Sequence, residues 1–200
     1  RPADKRQGLF GYTRNAVIEN VGLENVNVVG EGDVGGVVGK GKGTTIQQVY
    51  VTGYVEGNDH VGGIIGGTDG GDVTTIQNCY VNATVKTRAS QVGGIMGVAS
   101  SSLVDKVYFT GEVIALTDQP RYNAGGIIGL VEDGNVSVSN LASLPTSVAG
   151  GTVSEFIARA SGTLTLKEAT NLFARNDVVF VCNAPEEPGF LPKATEQQKR

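Results

Sequence analysis

Few of the 200 residues could carry out covalent chemistry. The chain's one histidine, His60, follows Asp59 in the loop Gly57-Asn58-Asp59-His60. An imidazole beside a carboxylate is half of a proton-transfer pair, but no nucleophile recurs with it. No catalytic residue is assigned, and the chain reads as a non-enzyme. The two cysteines, Cys79 and Cys182, lack the paired spacing of a zinc site. Cys79 stands where neighbouring repeats hold Val49 and Val107, which makes it a small buried hydrophobe. Cys182 lies several repeats further on, too far for a disulfide. Acidic residues recur in glycine-rich turns: Glu31 and Asp33, Asp59, Asp69 and Asp72, Glu132 and Asp133. Carboxylates so placed could hold calcium, with Asp69 and Asp72 the candidate ligands. Their spacing is not that of calcium-binding nonapeptide repeats, and Asp is also an ordinary turn former. No other cofactor is expected.

Recognition has better candidates. Tyr50, Tyr80 and Tyr108 recur in one slot between inward residues, so they should form an outward column. Thr52, Asn82 and Thr110 flank it and supply hydrogen bonds. Aromatic faces on a rigid sheet suit a sugar or a protein ligand. The alternative is that stacked tyrosines only stabilise the sheet.

Those slots are equivalent because the chain repeats. Val34-Gly35-Gly36-Val37-Val38-Gly39 returns at 61–66, 92–97 and 124–129, and a truncated copy, Gly8-Leu9-Phe10-Gly11, precedes them. The closing glycines Gly11, Gly39, Gly66, Gly97 and Gly129 are 28, 27, 31 and 32 residues apart. Between them lie short runs of Val, Ile, Thr and Tyr, such as Ile46-x-x-Val49-Tyr50-Val51, without helical periodicity. A unit this small cannot bury its own apolar face, so units must stack. Propeller blades need roughly 40 residues, and leucine-rich spacing is missing. The expected fold is all-β: a parallel, right-handed β-helix of about six coils of 27–32 residues, equivalent residues lying about 4.8 Å apart along the axis.

The repeat resembles the GLUG motif of bacterial surface proteins, named for Gly-Leu-x-Gly. The resemblance lies in Gly8-Leu9-Phe10-Gly11, the four full phrases, and the trailing Cys79-Tyr80-Val81 and Val107-Tyr108-Phe109, and it covers roughly residues 8–183. It implies exposure at a cell surface, in adhesin-like proteins and in the stalks of some immunoglobulin A proteases. It implies no catalytic residues.

The chain divides into a polar lead-in at 1–7, coils at 8–33, 34–60, 61–91, 92–123 and 124–152, a degenerate coil at 153–183, and a Pro-rich tail at 184–200. A helical turn within 165–174 is an alternative for part of the degenerate coil. Without an initiator Met or signal peptide, the chain reads as an excised piece of something longer. A net charge of −4 argues against nucleic acid, and no apolar stretch is long enough to span a membrane. The inward set should be Ile18, Val21 and Leu23 with their equivalents through Val104, Val107 and Phe109. The double glycine should serve a corner, through positive φ or close backbone approach. Of each following pair (Val37-Val38, Ile64-Ile65, Ile95-Met96, Ile127-Ile128), alternation turns one member outward. Either a bulge tucks both in, or an outward stripe is covered by the tail or a partner. Phe190 and Leu191 in the tail could dock on that stripe of a neighbouring subunit.

Three functions follow. The first is a non-enzymatic module of a secreted or cell-surface bacterial protein, a rigid stalk or a binding surface for host or matrix protein or glycan. The second is a subunit of an extracellular filament or layer that stacks on copies of itself, end to end. The third is a carbohydrate-active enzyme, since polysaccharide lyases share the architecture. Fold does not license that reading, and the outward columns are Tyr, Thr and Asn rather than clustered Asp, Arg or Lys.

Overall fold

The computed structural model of the chain describes residues 5–116, 122–161, 163–166, 172–174, 177 and 179–182. All regular structure there is β-strand, in three parallel sheets that run the height of a solenoid. Sheet 1 holds a short strand per turn: Arg6–Gln7, Asp33–Gly35, Val61–Gly62, Val92–Gly93, Asn123–Gly125 and Thr152–Ser154. Sheet 2 holds Phe10–Arg14, Val38–Lys42, Ile65–Thr68, Met96–Ala99, Ile128–Val131 and Ile157–Ala160. Sheet 3 carries the long strands Val17–Val29, Thr45–Gly57, Thr74–Thr87, Ser102–Ala115 and Asn135–Gly150. In the last turn Thr163–Leu166, Leu172–Ala174 and Val179–Cys182 all pair with Asn135–Gly150. Strand thus claims both ends of the stretch where a helical turn was the alternative. The tail at 184–200, with Phe190 and Leu191, lies outside the described residues.

Vertical repetition builds the core. Ile46, Ile76 and Val104 are stacked in register, as are Cys79 and Val107, and Val51, Val81 and Phe109, while Val49 precedes Tyr50 as Cys79 precedes its partner Tyr80. All are at most 3% exposed, and in the first turn Ile18 is buried while Val21 and Leu23 are half-buried. The x-x gap between the first two members has a structural reason. In a straight strand, residues three apart face opposite sides. Here Asn20, Gln48, Asn78, Lys106 and Asn140 all take positive φ, between 51° and 57°, at the same slot of five turns. That left-handed residue bends the strand and brings both neighbours inward. Asn tolerates it best among residues with a Cβ.

The three glycines of the phrase have separate reasons, and none of them is positive φ. A Cβ on the first (Gly35, Gly62, Gly93, Gly125) would lie within 3.0 Å of the backbone carbonyl three residues on, because sheets 1 and 2 fold tightly against each other. A Cβ on the second would strike the core residue of sheet 3 facing it: Val51 for Gly36, Val81 for Gly63, Phe109 for Gly94. A Cβ on the last (Gly39, Gly66, Gly97) would hit the sheet 1 backbone of the turn before.

Between these glycines both members of each apolar pair are fully buried, so the outward stripe does not exist. The bulge-like alternative is what the chain adopts. The amides of Val37 and Val38 both donate to the Ile64 carbonyl, at 3.0 and 3.0 Å. Ile64 and Ile65 share that of Ile95, and Ile95 and Met96 share that of Ile127. Two successive N–H groups aimed at one oxygen require a bend, and the bend breaks the alternation. The stripe on which Phe190 and Leu191 were expected to dock is therefore absent from the described surface.

Candidate functional site

Sheet 3 presents the tyrosine column. Tyr50, Tyr80 and Tyr108 are in register, and so are Thr52, Asn82 and Thr110. Tyr50 and Tyr108 are each 38% exposed. The rings of Tyr80 and Tyr108 stack on each other, centroids 4.9 Å apart and planes 18° apart, so their faces are turned along the axis and their edges outward. The Tyr80 hydroxyl lies 3.5 Å from Thr110 Oγ1, and the Tyr50 hydroxyl donates to Glu24 at 2.7 Å. That bond to Glu24 raises the Tyr50 pKa. Thr52 Oγ1 accepts the Asn25 amide at 2.9 Å, where the first turn carries a bulge.

The two candidate calcium ligands face lysines. Asp69 Oδ1 pairs with Lys40 Nζ at 3.1 Å, and Asp72 Oδ2 with Lys42 Nζ at 4.0 Å. Burial works to raise the Asp69 pKa, but the Lys40 hydrogen bond and charge, with the Tyr12 hydroxyl, hold it below the usual value. Among the described residues no three His, Cys, Asp or Glu side chains gather as a metal site would require. Cys79 is a buried free thiol in the core ladder, pushed up to about 11 by burial.

Lys40 belongs to a longer chain of charges along the seam between sheets 1 and 2. His60 Nδ1 meets Asp33 Oδ1 at 2.6 Å, and Nε2 lies 3.4 Å from Asp59 Oδ1. Asp33 Oδ2 is 3.5 Å from Lys40 Nζ, which also reaches Asp69. Asp69 Oδ2 accepts the Tyr12 hydroxyl at 3.1 Å, and the Arg6 guanidinium sits 4.8 Å over the Tyr12 ring. Three turns are thereby tied together. Burial alone would lower the His60 pKa, but the hydrogen bond to Asp33 and the charges of Asp59 and Asp33 outweigh it and raise the value. His60 is an ion-pair residue here, with a carboxylate at each nitrogen.

The phrase that shapes this seam is the recognisable one. The GLUG motif family matches residues 57–86, which include Val61-Gly62-Gly63-Ile64-Ile65-Gly66 and the strand through Tyr80. The chain carries the GLUG motif. It is 28% identical over 132 residues to an immunoglobulin A1 protease of Streptococcus pneumoniae, covering 64% of this chain and 7% of that protein. It has the same identity and coverage with an immunoglobulin A1 protease of Streptococcus sanguinis. With halomucin of Haloquadratum walsbyi it is 46% identical over 78 residues, 38% of this chain and 1% of that protein. The chain thus spans less than a tenth of the length of these relatives. No solved structure matches it significantly.

The GLUG frame also locates the signal for the ion chain, which sequence reasoning missed. Asp33 and His60 each immediately precede the Val-Gly-Gly of a copy, while Tyr12 and Lys40 each follow its closing glycine. The tight fold at the GLUG glycines brings those flanks face to face. Comparing the flanking slots for opposite charge, rather than the phrase alone, would have exposed the pairing.

Proposed function

We propose that this chain is a non-enzymatic extracellular module, a rigid β-helical segment that spaces or displays binding surfaces within a longer surface protein. The observation that carries this reading is the parallel pairing of sheet 3 through five turns, with bulges after Leu23 and Gly111, over a ladder of apolar side chains buried from Ile46 onward. Each turn adds about 4.8 Å and is fixed to its neighbours by backbone hydrogen bonds and side-chain ladders alike. Such a solid gives stiffness and a regular outer face. The relatives support an extracellular setting: two are proteases named for immunoglobulin A1, and this chain matches 7% of the length of each. The outward Tyr, Thr and Asn rows of sheet 3 are the adhesive face in this reading.

Beads coated with the chain are expected to be retained on mucin-coated or matrix-protein surfaces. The triple variant Tyr50→Ala, Tyr80→Ala, Tyr108→Ala, shown to be folded by circular dichroism, should lose that retention. Equal retention would remove the adhesive part and leave the spacer. Immunoglobulin A1 incubated with the chain should remain uncut, and cleavage would overturn the non-enzymatic reading. End-to-end filament growth is less well supported, because the apolar slots of the last turn, Phe156 and Ile157, are already buried while their equivalents Leu9 and Phe10 are 52% and 43% exposed.

A further inference from the structure

The outward row of sheet 3 continues past Tyr108. In register it runs Gly22, Tyr50, Tyr80, Tyr108, Ala142, Phe173. Tyr80 and Tyr108 stack at 4.9 Å, one strand step. The step above Tyr108 carries only the methyl group of Ala142, and the next carries Phe173, 48% exposed. Two steps of parallel sheet, roughly 9.6 Å, separate the aromatic positions on either side of Ala142. A ring placed midway would have a ring-stacking distance, roughly 4.8 Å, to each. The column is therefore short by one ring, and the omission has the thickness of one ring.

We propose that this gap, floored by Ala142 between Tyr108 and Phe173, is a binding slot for one pyranose ring of a glycan. The proposal rests on the adhesive reading above and narrows it to a place and a ligand class. The slot's composition selects a sugar over an aromatic side chain. A pyranose presents apolar C–H groups on its faces and hydroxyls around its edge. The slot has aromatic positions above and below. One flank stacks half-buried Thr110 against half-buried, apolar Leu144; the other is polar, with exposed Lys106 two residues before Tyr108 and half-buried Asn140 two before Ala142. Ring hydroxyls would meet the polar groups, and the phenol of Tyr108, at the rim. An aromatic side chain would fill the gap but leave that rim unmatched.

The test uses the whole chain and three probes, the methyl glycosides of glucose, galactose and N-acetylglucosamine, read by aromatic-ring NMR. At least one glycoside should shift the Tyr108 and Phe173 ring signals and spare those of Tyr12, which lies on sheet 2. Ala142→Tyr inserts the missing ring at an outward position. It should weaken binding at least about tenfold, with a melting temperature equal to the parent's or higher. Phe173→Leu, which removes one wall, should weaken binding several-fold. Failure of all three glycosides to move the Tyr108 and Phe173 signals overturns the slot, as does undiminished binding by Ala142→Tyr. Shifts produced by N-acetyltyrosinamide and by none of the glycosides also overturn it, in favour of a protein partner. Ala142→Tyr beads that adhere as the parent does would refute the slot while the adhesive reading stands. Parent beads that adhere to nothing would refute the adhesive reading, and the glycoside titration then judges the slot separately.

Discussion

Replacing Gly36 by Ala tests the tight corner on which the fold depends. A Cβ at this position would lie 2.5 Å from the Gly63 carbonyl oxygen and 2.8 Å from Val51 Cγ1. Real Cβ atoms essentially never approach closer than 3.0 Å, so the neighbouring turn must retreat by roughly 0.5 Å or more. The obstacle is backbone on one side and a β-branched core residue on the other, and neither is the free end of a flexible side chain. Retreat would also strain the three amides that hold this corner to the next turn: Gly36 to Gly63 at 3.1 Å, and Val37 and Val38 to Ile64. Overpacking of this kind costs about 1–3 kcal/mol, and each weakened backbone hydrogen bond adds about 0.5–1.5 kcal/mol. The expected loss is about 3 kcal/mol. For a domain of this size that is a drop of about 6–12 °C in melting temperature. The control is Gly70→Ala in the exposed loop, where a Cβ meets only Ser100 Cβ at 4.0 Å and φ is not in the left-handed region. That change should stay within about 0.5 kcal/mol of the parent. Thermal melts followed by circular dichroism, with urea titration as a check, give both numbers. A Gly36→Ala variant within 1 kcal/mol of the parent, or a Gly70→Ala variant equally damaged, would refute the close-approach account of the corner.

Three further outcomes are expected. His60 has a raised pKa in the folded chain, so its contribution to stability is fully present below its ordinary value of 6.5 and is lost as pH rises through the folded value. As the chain's one histidine, its ring signal can be titrated without ambiguity; it should titrate above 6.5, and lower in Asp33→Asn, and an unchanged midpoint would remove Asp33 as the cause. Gln48→Asn places a residue tolerant of left-handed φ where Gln48 now sits at 54°, and should raise stability by about 1 kcal/mol; a loss in the melt would contradict the bend assigned to this slot. Cys79, with its thiol pushed up to about 11, should resist alkylation at pH 8 until the chain unfolds; peptide mapping that finds it labelled in native conditions would show that the core ladder opens locally.

Much of the architecture is decided by the sequence alone, because in a solenoid the spatial neighbour of a residue is its counterpart one period away. The spacing from Gly11 to Gly129 therefore already encodes the contacts of Ile46 with Ile76 and of Val51 with Val81. The same logic places Tyr80 beneath Tyr108 and Cys79 in the core. What period-two alternation could not supply is the local departure from a straight strand. The left-handed residues at Asn20, Gln48, Asn78, Lys106 and Asn140, and the carbonyls shared by two amides at each corner, reorient side chains that a flat strand would send outward. Only the folded-back sheets bring Lys40 to Asp33 and Asp69, and Tyr12 to Asp69, since those contacts join different slots, whereas His60 and Asp33 hold the same slot one period apart. The gap at Ala142 was hidden for a related reason. In the last turn the repeat has lost its glycines, and only strand pairing reveals that Phe173 stands directly over Ala142. Periodicity determines who is stacked on whom; bends and close approaches, set by backbone geometry, determine which surfaces those stacks present.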